Sequence, residues 1–243
     1  ITMNNKLSNL TVNILTHRTN TKILTDCVKS ISKHVAINII ENSENFENKD
    51  IFRKFEQNVS IICTGNNLGY AGGHNYGITN VKTRYVLVLN PDLVCKKDYF
   101  LNIQKYLSEE INFHIIGSQY EEHKMDKPAF GIFNNEKYNP NIPVNENNLQ
   151  SVDWVVGCSM LIDLNKFESR KIFDDNFFLF YEETDLCKRV KLMKGKVFSS
   201  KDLIIDHYGE KGSFAIEKDT EYSYLKLRNW HLMWSSFYFY KKN

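Results

Sequence analysis

The sequence predicts an α/β domain, a mostly parallel central sheet flanked by helices, with an aromatic helix at its C-terminal end. Three observations carry this expectation. Short apolar, β-branched runs alternate with stretches of helical periodicity between residues 10 and 95. The runs end in polar clusters, and in open parallel sheets ligands bind where the carboxyl ends of strands meet solvent. One connection is rich in glycine, the residue that lets backbone approach a partner closely.

Residues 10–15 read as the first strand. His17-Arg18-Thr19-Asn20 follows with good helix-capping residues, and Ile23, Leu24, Cys27, Val28 and Ile31 then recur at helical spacing. A second apolar strand spans 35–40 and ends at Glu41-Asn42-Ser43. Ile51, Phe52 and Phe55 outline a short helix. Residues 59–63 form a third strand and run into the Gly-rich segment 66–77. A fourth strand lies within 81–89 and ends at Asn90-Pro91-Asp92. Strands alternating with helices imply a mainly parallel sheet covered on its faces. Residues 119–151 hold Pro128, Pro140 and Pro143 among many Asn, and read as a long, irregular excursion, functional or mobile rather than core. Order returns at 152–164 and continues to 198, and 219–240 reads as an aromatic helix.

Composition narrows the function classes. The 243 residues are enough for one large domain, and 42% are hydrophobic, enough for a sizeable core. A net charge of +2 argues against a dedicated nucleic-acid binder. Five cysteines without a CxxC pair fit reduced thiols in a cytoplasmic protein, with neither a zinc site nor a disulfide framework. The longest mainly apolar run, 154–162, is too short to cross a bilayer, and no signal peptide is expected.

Four segments carry chemistry. In Asn66-Asn67-Leu68-Gly69-Tyr70-Ala71-Gly72-Gly73-His74-Asn75, glycines and exposed amides can receive a diphosphate; a tight strand-to-helix connection is the plain alternative. Asp92 at a strand end can hold Mg²⁺ or Mn²⁺, hard cations that prefer oxygen, although Asn-Pro-Asp also makes an ordinary turn. Glu182, Glu183 and Asp185 follow an aromatic cluster at 177–181 and head a helical stripe of Leu186, Val190 and Met193. They can be favourable charge at a helix start, or a base whose pKa the aromatic wall raises. His207 stands in Asp206-His207-Tyr208-Gly209, and a lone histidine is more often structural.

In order and spacing these segments resemble glycosyltransferase family 2, in its rhamnosyltransferase-like branch. The matching pieces are Thr16-His17-Arg18, Glu41-Asn42-Ser43, Asn67 through Asn75, Leu89-Asn90-Pro91-Asp92, Trp154-Val155-Val156-Gly157-Cys158, residues 177–189, residues 207–213, and Arg228-Asn229. The resemblance implies a GT-A fold: a catalytic domain over 1–215, its nucleotide-sugar half at 1–95 and its acceptor half at 96–215, and a helical extension over 216–243. It implies that Thr16, Arg18, Glu41, Asn67, Gly69, Tyr70, Ala71, Gly72 and Asn75 hold the nucleotide, with Asn90, Trp154, Gly157, Ser213 and Arg228 completing the donor site. Asp92 stands for the last acid of the family's Asp-X-Asp, and His207 for a second metal or diphosphate contact. Glu183 takes the position of the base in the family's Glu-Asp pair. Asn90 replaces the first metal-side acid, and Glu183 is one methylene longer than the usual Asp.

The expected reaction is transfer, with inversion, from a nucleoside-diphosphate sugar to a saccharide or lipid-linked saccharide. The resemblance points to dTDP-L-rhamnose first, UDP-hexoses next, and to a bacterial surface polysaccharide such as O-antigen or capsule. A sugar nucleotidyltransferase could share the layered architecture, but no basic Gly-rich signature for a triphosphate stands near the N-terminus. A non-catalytic sugar-binding module would not need the acidic cluster beside a metal motif. The C-terminal helix mixes Trp and Tyr with Lys and Arg, so peripheral contact with the inner face of the cytoplasmic membrane is expected, with packing on the domain as the alternative.

Overall fold

The computed structural model describes residues 6–47, 49–55, 58–121, 130–133, 142–207 and 218–243. The alternation read from sequence forms β1 (Leu10–Thr16), α1 (Thr21–Lys29), β2 (Ala36–Glu41), α2 (Lys49–Phe52), β3 (Val59–Cys63), α3 (Gly69–Thr79) and β4 (Tyr85–Leu89). Asn20 caps α1 as its residue type suggests, its side chain accepting from the Lys22 and Ile23 amides. The fourth strand starts at Tyr85 rather than 81, because the Val81 amide still bonds to Ile78 at the end of α3.

The chain continues through β5 (Leu93–Cys95), α4 (Tyr99–Ser108), β6 (Ile115–Tyr120), β7 (Phe130–Gly131), β8 (Leu149–Ser151), β9 (Trp154–Val155) and β10 (Ser159–Asp163), and then α5 (Glu182–Leu192), β11 (Val197–His207) and α6 (Lys218–Lys242). The main sheet runs β3-β2-β1-β4-β10-β6-β11-β5, with β8 beside β11. From β3 to β4 every pair is parallel. β10 runs against both β4 and β6, while β11 is parallel to β6 and opposed by β5 and β8.

Two cores lie on opposite faces of the sheet, and β4 shows why. Its side chains alternate, so Leu87 and Leu89 join α1 and α4 on one face. Val86 and Val88 face Ala71 and Ile78 of α3 and Leu186 and Val190 of α5 on the other. Helix α3 comes unusually close to the sheet. A Cβ on Gly73 would lie 2.5 Å from Leu15, and one on Gly77 would lie 2.3 Å from Asn13. These two glycines therefore serve helix–strand packing, the plainer of their two readings. Met193 falls just past α5 and is exposed, so the stripe ends at Val190. Among the described residues no helix is long and apolar enough to cross a membrane.

Candidate active site

At the end of β2, Glu41 is fully buried, and a buried carboxylate needs donors. It has three: the Thr16 hydroxyl at 2.7 Å, the Ser43 hydroxyl at 2.6 Å and the Arg18 amide at 3.0 Å. Arg18 has a φ of 52°, so the chain leaves β1 in a left-handed turn that the carboxylate fastens. The Arg18 side chain is left exposed beside it. Thus Glu41 shapes the mouth of the strand ends, and Thr16 acts through it.

The Gly-rich segment is anchored next to this cluster. Asn42 donates to Asn67 Oδ1 at 2.9 Å and to the Gly69 carbonyl at 3.0 Å, and accepts from the Leu68 amide at 2.9 Å. Gly69 has a φ of +74°, and a Cβ there would sit 2.4 Å from the Phe178 carbonyl oxygen. The Tyr70 amide donates to that same oxygen at 2.7 Å. Gly72 lies on the outer side of α3, in a groove with Leu68 and Tyr76. Ala71 is buried in the core, and the Asn75 amide is engaged by the Phe173 backbone and Asp175.

Tyr70 links this loop to the next cluster. Its hydroxyl donates to the Gly157 carbonyl at 2.7 Å and lies 3.3 Å from Asn90 Oδ1. The Asn90 amide donates to the Cys158 carbonyl at 2.8 Å, which ties the turn after β4 to the start of β10. In that turn Asp92 is buried. Strand β5 then pairs with β11 so that Leu93 faces His207, and the His207 backbone stands one residue from Asp92 across the ladder. The His207 side chain and residues 208–217, including Ser213, lie outside the described residues. Asp92, a buried carboxylate, is a hard oxygen donor of the kind that suits Mg²⁺ or Mn²⁺, with diphosphate oxygens as further ligands.

Helix α5 brings the acidic pair to the same place. Gly157 packs on Glu183, where an added Cβ would lie 3.2 Å from the Glu183 Cβ. The carboxylates of Glu182, Glu183 and Asp92 all act on the Tyr70 phenol, whose pKa burial and then these charges raise. Asp92 and Glu183 also act together on Tyr120 and Cys158, which touch at 3.3 Å. Burial raises Glu183 to about 6, while its own amide and that of Thr184 pull it down. Glu182 is raised well above the usual range, by burial first and by Glu183 second. Its Oε2 has no hydrogen-bond partner among the described residues.

Other sequence-expected residues lie elsewhere or do other work. Asp185 is fully buried and neutralised by Arg189 and Lys242, each at 2.7 Å, so it fastens α5 rather than facing Tyr70. Trp154 lies against Gly131, where β7 pairs with β9. Arg228 on α6 covers the Phe180 ring at 5.4 Å. Sequence reasoning did not single out Tyr120 or Lys242 as parts of the site. Tyr120 ends a strand, as Glu41 does, and that was its available signal.

Residues 11–161 match the family described as Glycosyl transferase family 2, a stretch that holds Thr16, Glu41, Asp92 and Gly157 and ends before Glu182. The low-salt glycan biosynthesis hexosyltransferase Agl10 of Haloferax volcanii is 30% identical over 143 residues, 55% of this chain and 46% of that protein. The rhamnosyltransferase WbbL of Escherichia coli K12 is 23% identical over 236 residues, 89% of this chain and 86% of that protein. The crystal structure of GalNAc-T7 with UDP, GalNAc and Mn²⁺ superposes with a TM-score of 0.66 at 11% identity, over 86% of this chain and 44% of that one. The chain thus spans under half of Agl10 and of GalNAc-T7. The shared fold is GT-A.

Proposed function

Since the chain belongs to glycosyltransferase family 2, we propose that it is an inverting glycosyltransferase acting on a nucleoside-diphosphate sugar. The observation that carries this is the convergence of Asp92 and Glu183 on Tyr70, Tyr120 and Cys158, beside a Gly-rich loop at the strand ends. In this reading, residues 1–95 receive the nucleotide, through Thr16, Arg18, Glu41 and the loop at 67–75. Residues 96–215 hold the acceptor, and 216–243 form an extension.

Glu183 takes the proton of an acceptor hydroxyl. The resulting oxygen attacks the anomeric carbon as the bond from that carbon to the diphosphate oxygen breaks on the opposite face. The electron pair leaves with the diphosphate, so one displacement inverts the centre without a protein nucleophile. Asp92 and His207 would hold a divalent cation, Mg²⁺ or Mn²⁺, which when bound offsets charge on the departing diphosphate. Asn90, Gly157 and Ser213 complete the donor side.

The likeness to the rhamnosyltransferase WbbL supports a rhamnosyl donor; in this reading the donor is dTDP-L-rhamnose first and a UDP-hexose second, and the product is a surface polysaccharide such as O-antigen or capsule. The deciding experiment is a panel of nucleotide sugars with Mg²⁺ or Mn²⁺, read by release of the nucleoside diphosphate. Release from dTDP-rhamnose is expected. Release from a UDP-sugar alone would replace the donor and keep the mechanism; no release from any donor would remove the enzyme reading. In the same panel Asp92→Ala should weaken dTDP binding in Mn²⁺ and leave it unchanged in chelator. Equal wild-type affinity with and without metal would refute the cation's role.

The acceptor side of this reading includes peripheral contact with the cytoplasmic membrane. Helix α6 presents Leu227, Trp230, Met233, Trp234, Phe237 and Tyr240 to solvent, and residues 223–243 contain no acidic side chain. Exposed Trp and Tyr suit the headgroup zone, and an acid-free basic stretch suits anionic lipid. Liposome co-sedimentation should show binding to phosphatidylglycerol vesicles at low salt, lost in a W230S/W234S variant. No sedimentation at low salt would remove the membrane contact.

A further inference from the structure

Residues 177–181 lead directly into the Glu182-Glu183 pair, and α6 holds each of the five. Tyr238 stands edge-on to Phe177 with ring centres 4.9 Å apart. His231 stacks on Phe178 at 4.5 Å. The Ser235 hydroxyl, fully buried, donates to the Leu179 carbonyl at 2.8 Å. Arg228 covers Phe180, and Phe239 packs on Tyr181 at 5.3 Å. At the far end of α6, Lys242 Nζ lies 2.7 Å from both Asp174 and Asp185, bridging the two sides of the acidic pair.

The held segment is strained. Phe180 and Tyr181 have φ values of 71° and 67°, so two consecutive side-chain-bearing residues occupy the left-handed region. Such a conformation persists only where the surroundings over-determine it. It also sets where α5 begins, since Tyr181 is the residue before its first turn. The direction of Glu183 therefore depends on a turn that its own sequence does not favour.

We propose that α6 is a positioning element for the acidic pair and so for the base Glu183, with Ser235 and Lys242 as positioning residues that hold the left-handed turn in place. This rests on the reading of Glu183 as the base. Lys242 bonds to neither carboxylate of the pair; it fixes the segments before and after them. Among the described residues, the charged and titratable groups around Glu183 are Glu182 and Cys187 on its own helix, Tyr70 from α3, Asp92 from the turn after β4, Tyr120 from β6, and Cys158. Loosening the turn admits water to this pocket and moves Glu183 back toward its ordinary pKa.

The test compares Ser235→Ala, Lys242→Met and Lys242→Arg with Ser223→Ala, an exposed control on the same helix. Each is assayed with the donor that the panel identifies, and dTDP and UDP affinities are measured in Mn²⁺. Ser235→Ala and Lys242→Met should lower kcat by roughly 10-fold, as small misplacements of a reacting group do. Nucleotide affinity should stay within about twofold, and the acid limb of the kcat profile should move to lower pH. Lys242→Arg should recover most of the rate, and Ser223→Ala should match wild type. A structural role alone would lower the melting temperature without moving the acid limb.

Wild-type kcat and an unmoved acid limb in both variants would overturn the proposal, as would nucleotide affinity falling in step with kcat. Should Lys242→Met fail to fold, Ser235→Ala, which removes one hydroxyl, decides alone. Glu183→Gln run in parallel separates the two readings. If it keeps full turnover, the base assignment fails; if it is inactive while the α6 variants behave as wild type, only the positioning role fails.

Discussion

Glu183→Gln is expected to bind nucleoside diphosphate as wild type does and to turn over roughly 10²-fold more slowly or worse, the scale of a positioned proton transfer. The amide keeps the shape that packs on Gly157 and loses only the basic oxygen. Because burial lifts Glu183 to about 6, wild-type kcat should fall as pH drops through that value and level off above it. An ordinary exposed glutamate would place the limb nearer 4.

Glu182→Gln is the contrast. Its carboxyl is buried with one oxygen unmatched, and its pKa is raised well above normal. The folded state therefore holds this proton more tightly than the unfolded chain. That contribution to stability is present below the unfolded pKa and lost as pH rises through the folded one. The neutral amide removes the loss, so Glu182→Gln should melt no lower than wild type at pH 8 and should retain turnover. An inactive Glu182→Gln beside an active Glu183→Gln would exchange the two roles.

Gly69→Ala should be the most damaging single methyl in the donor loop. The φ of +74° is strained for any side chain, at about 1–3 kcal/mol, and the new Cβ would meet the Phe178 carbonyl oxygen at 2.4 Å. That oxygen is held by the Tyr70 amide, and Phe178 is stacked on His231, so neither yields without moving the turn before α5. A melting temperature lower by roughly 5–10 °C is expected for a domain of this size, with losses in both donor affinity and kcat. Gly65→Ala isolates the strain, because Gly65 has a φ of +81° and open space around it. Equal melting temperatures for the two variants would show that the close approach to Phe178 does not limit the loop.

What could be read from the sequence was what neighbouring residues decide. The strands β1 to β4 announce themselves by apolar runs, and Glu41 and Asp92 by their places at strand ends. Asn20 looked like a cap because capping is a local matter. The Gly-rich segment was ambiguous for a physical reason: Gly69 answers to Phe178, and Gly73 and Gly77 answer to Leu15 and Asn13, across the fold. Asp185 looked like a member of the acidic site because it is two residues from Glu183, yet helical geometry turns it inward to Arg189 and Lys242. The left-handed pair Phe180–Tyr181 carries no glycine and left no local trace. Helix α6 is aromatic on both sides, so its sequence hid which face packs on the domain and which meets solvent.

The reversed strand β10 bears on the order in which the molecule assembles. It pairs residues 159–163 with 85–89, far along the chain, and closing so long a loop is slow. On one side of it, β3, β2, β1 and β4 pair within residues 10–89 and need nothing made later. On the other, among the described strands β6 reaches β4 through β10, and Glu183 waits further for α6. The parallel part of the sheet can therefore pair before residues 159–163 join it, whereas the donor loop needs Phe178 and the base is set only when α6 seats. Fraying from that end in the finished protein would silence transfer while nucleotide still binds.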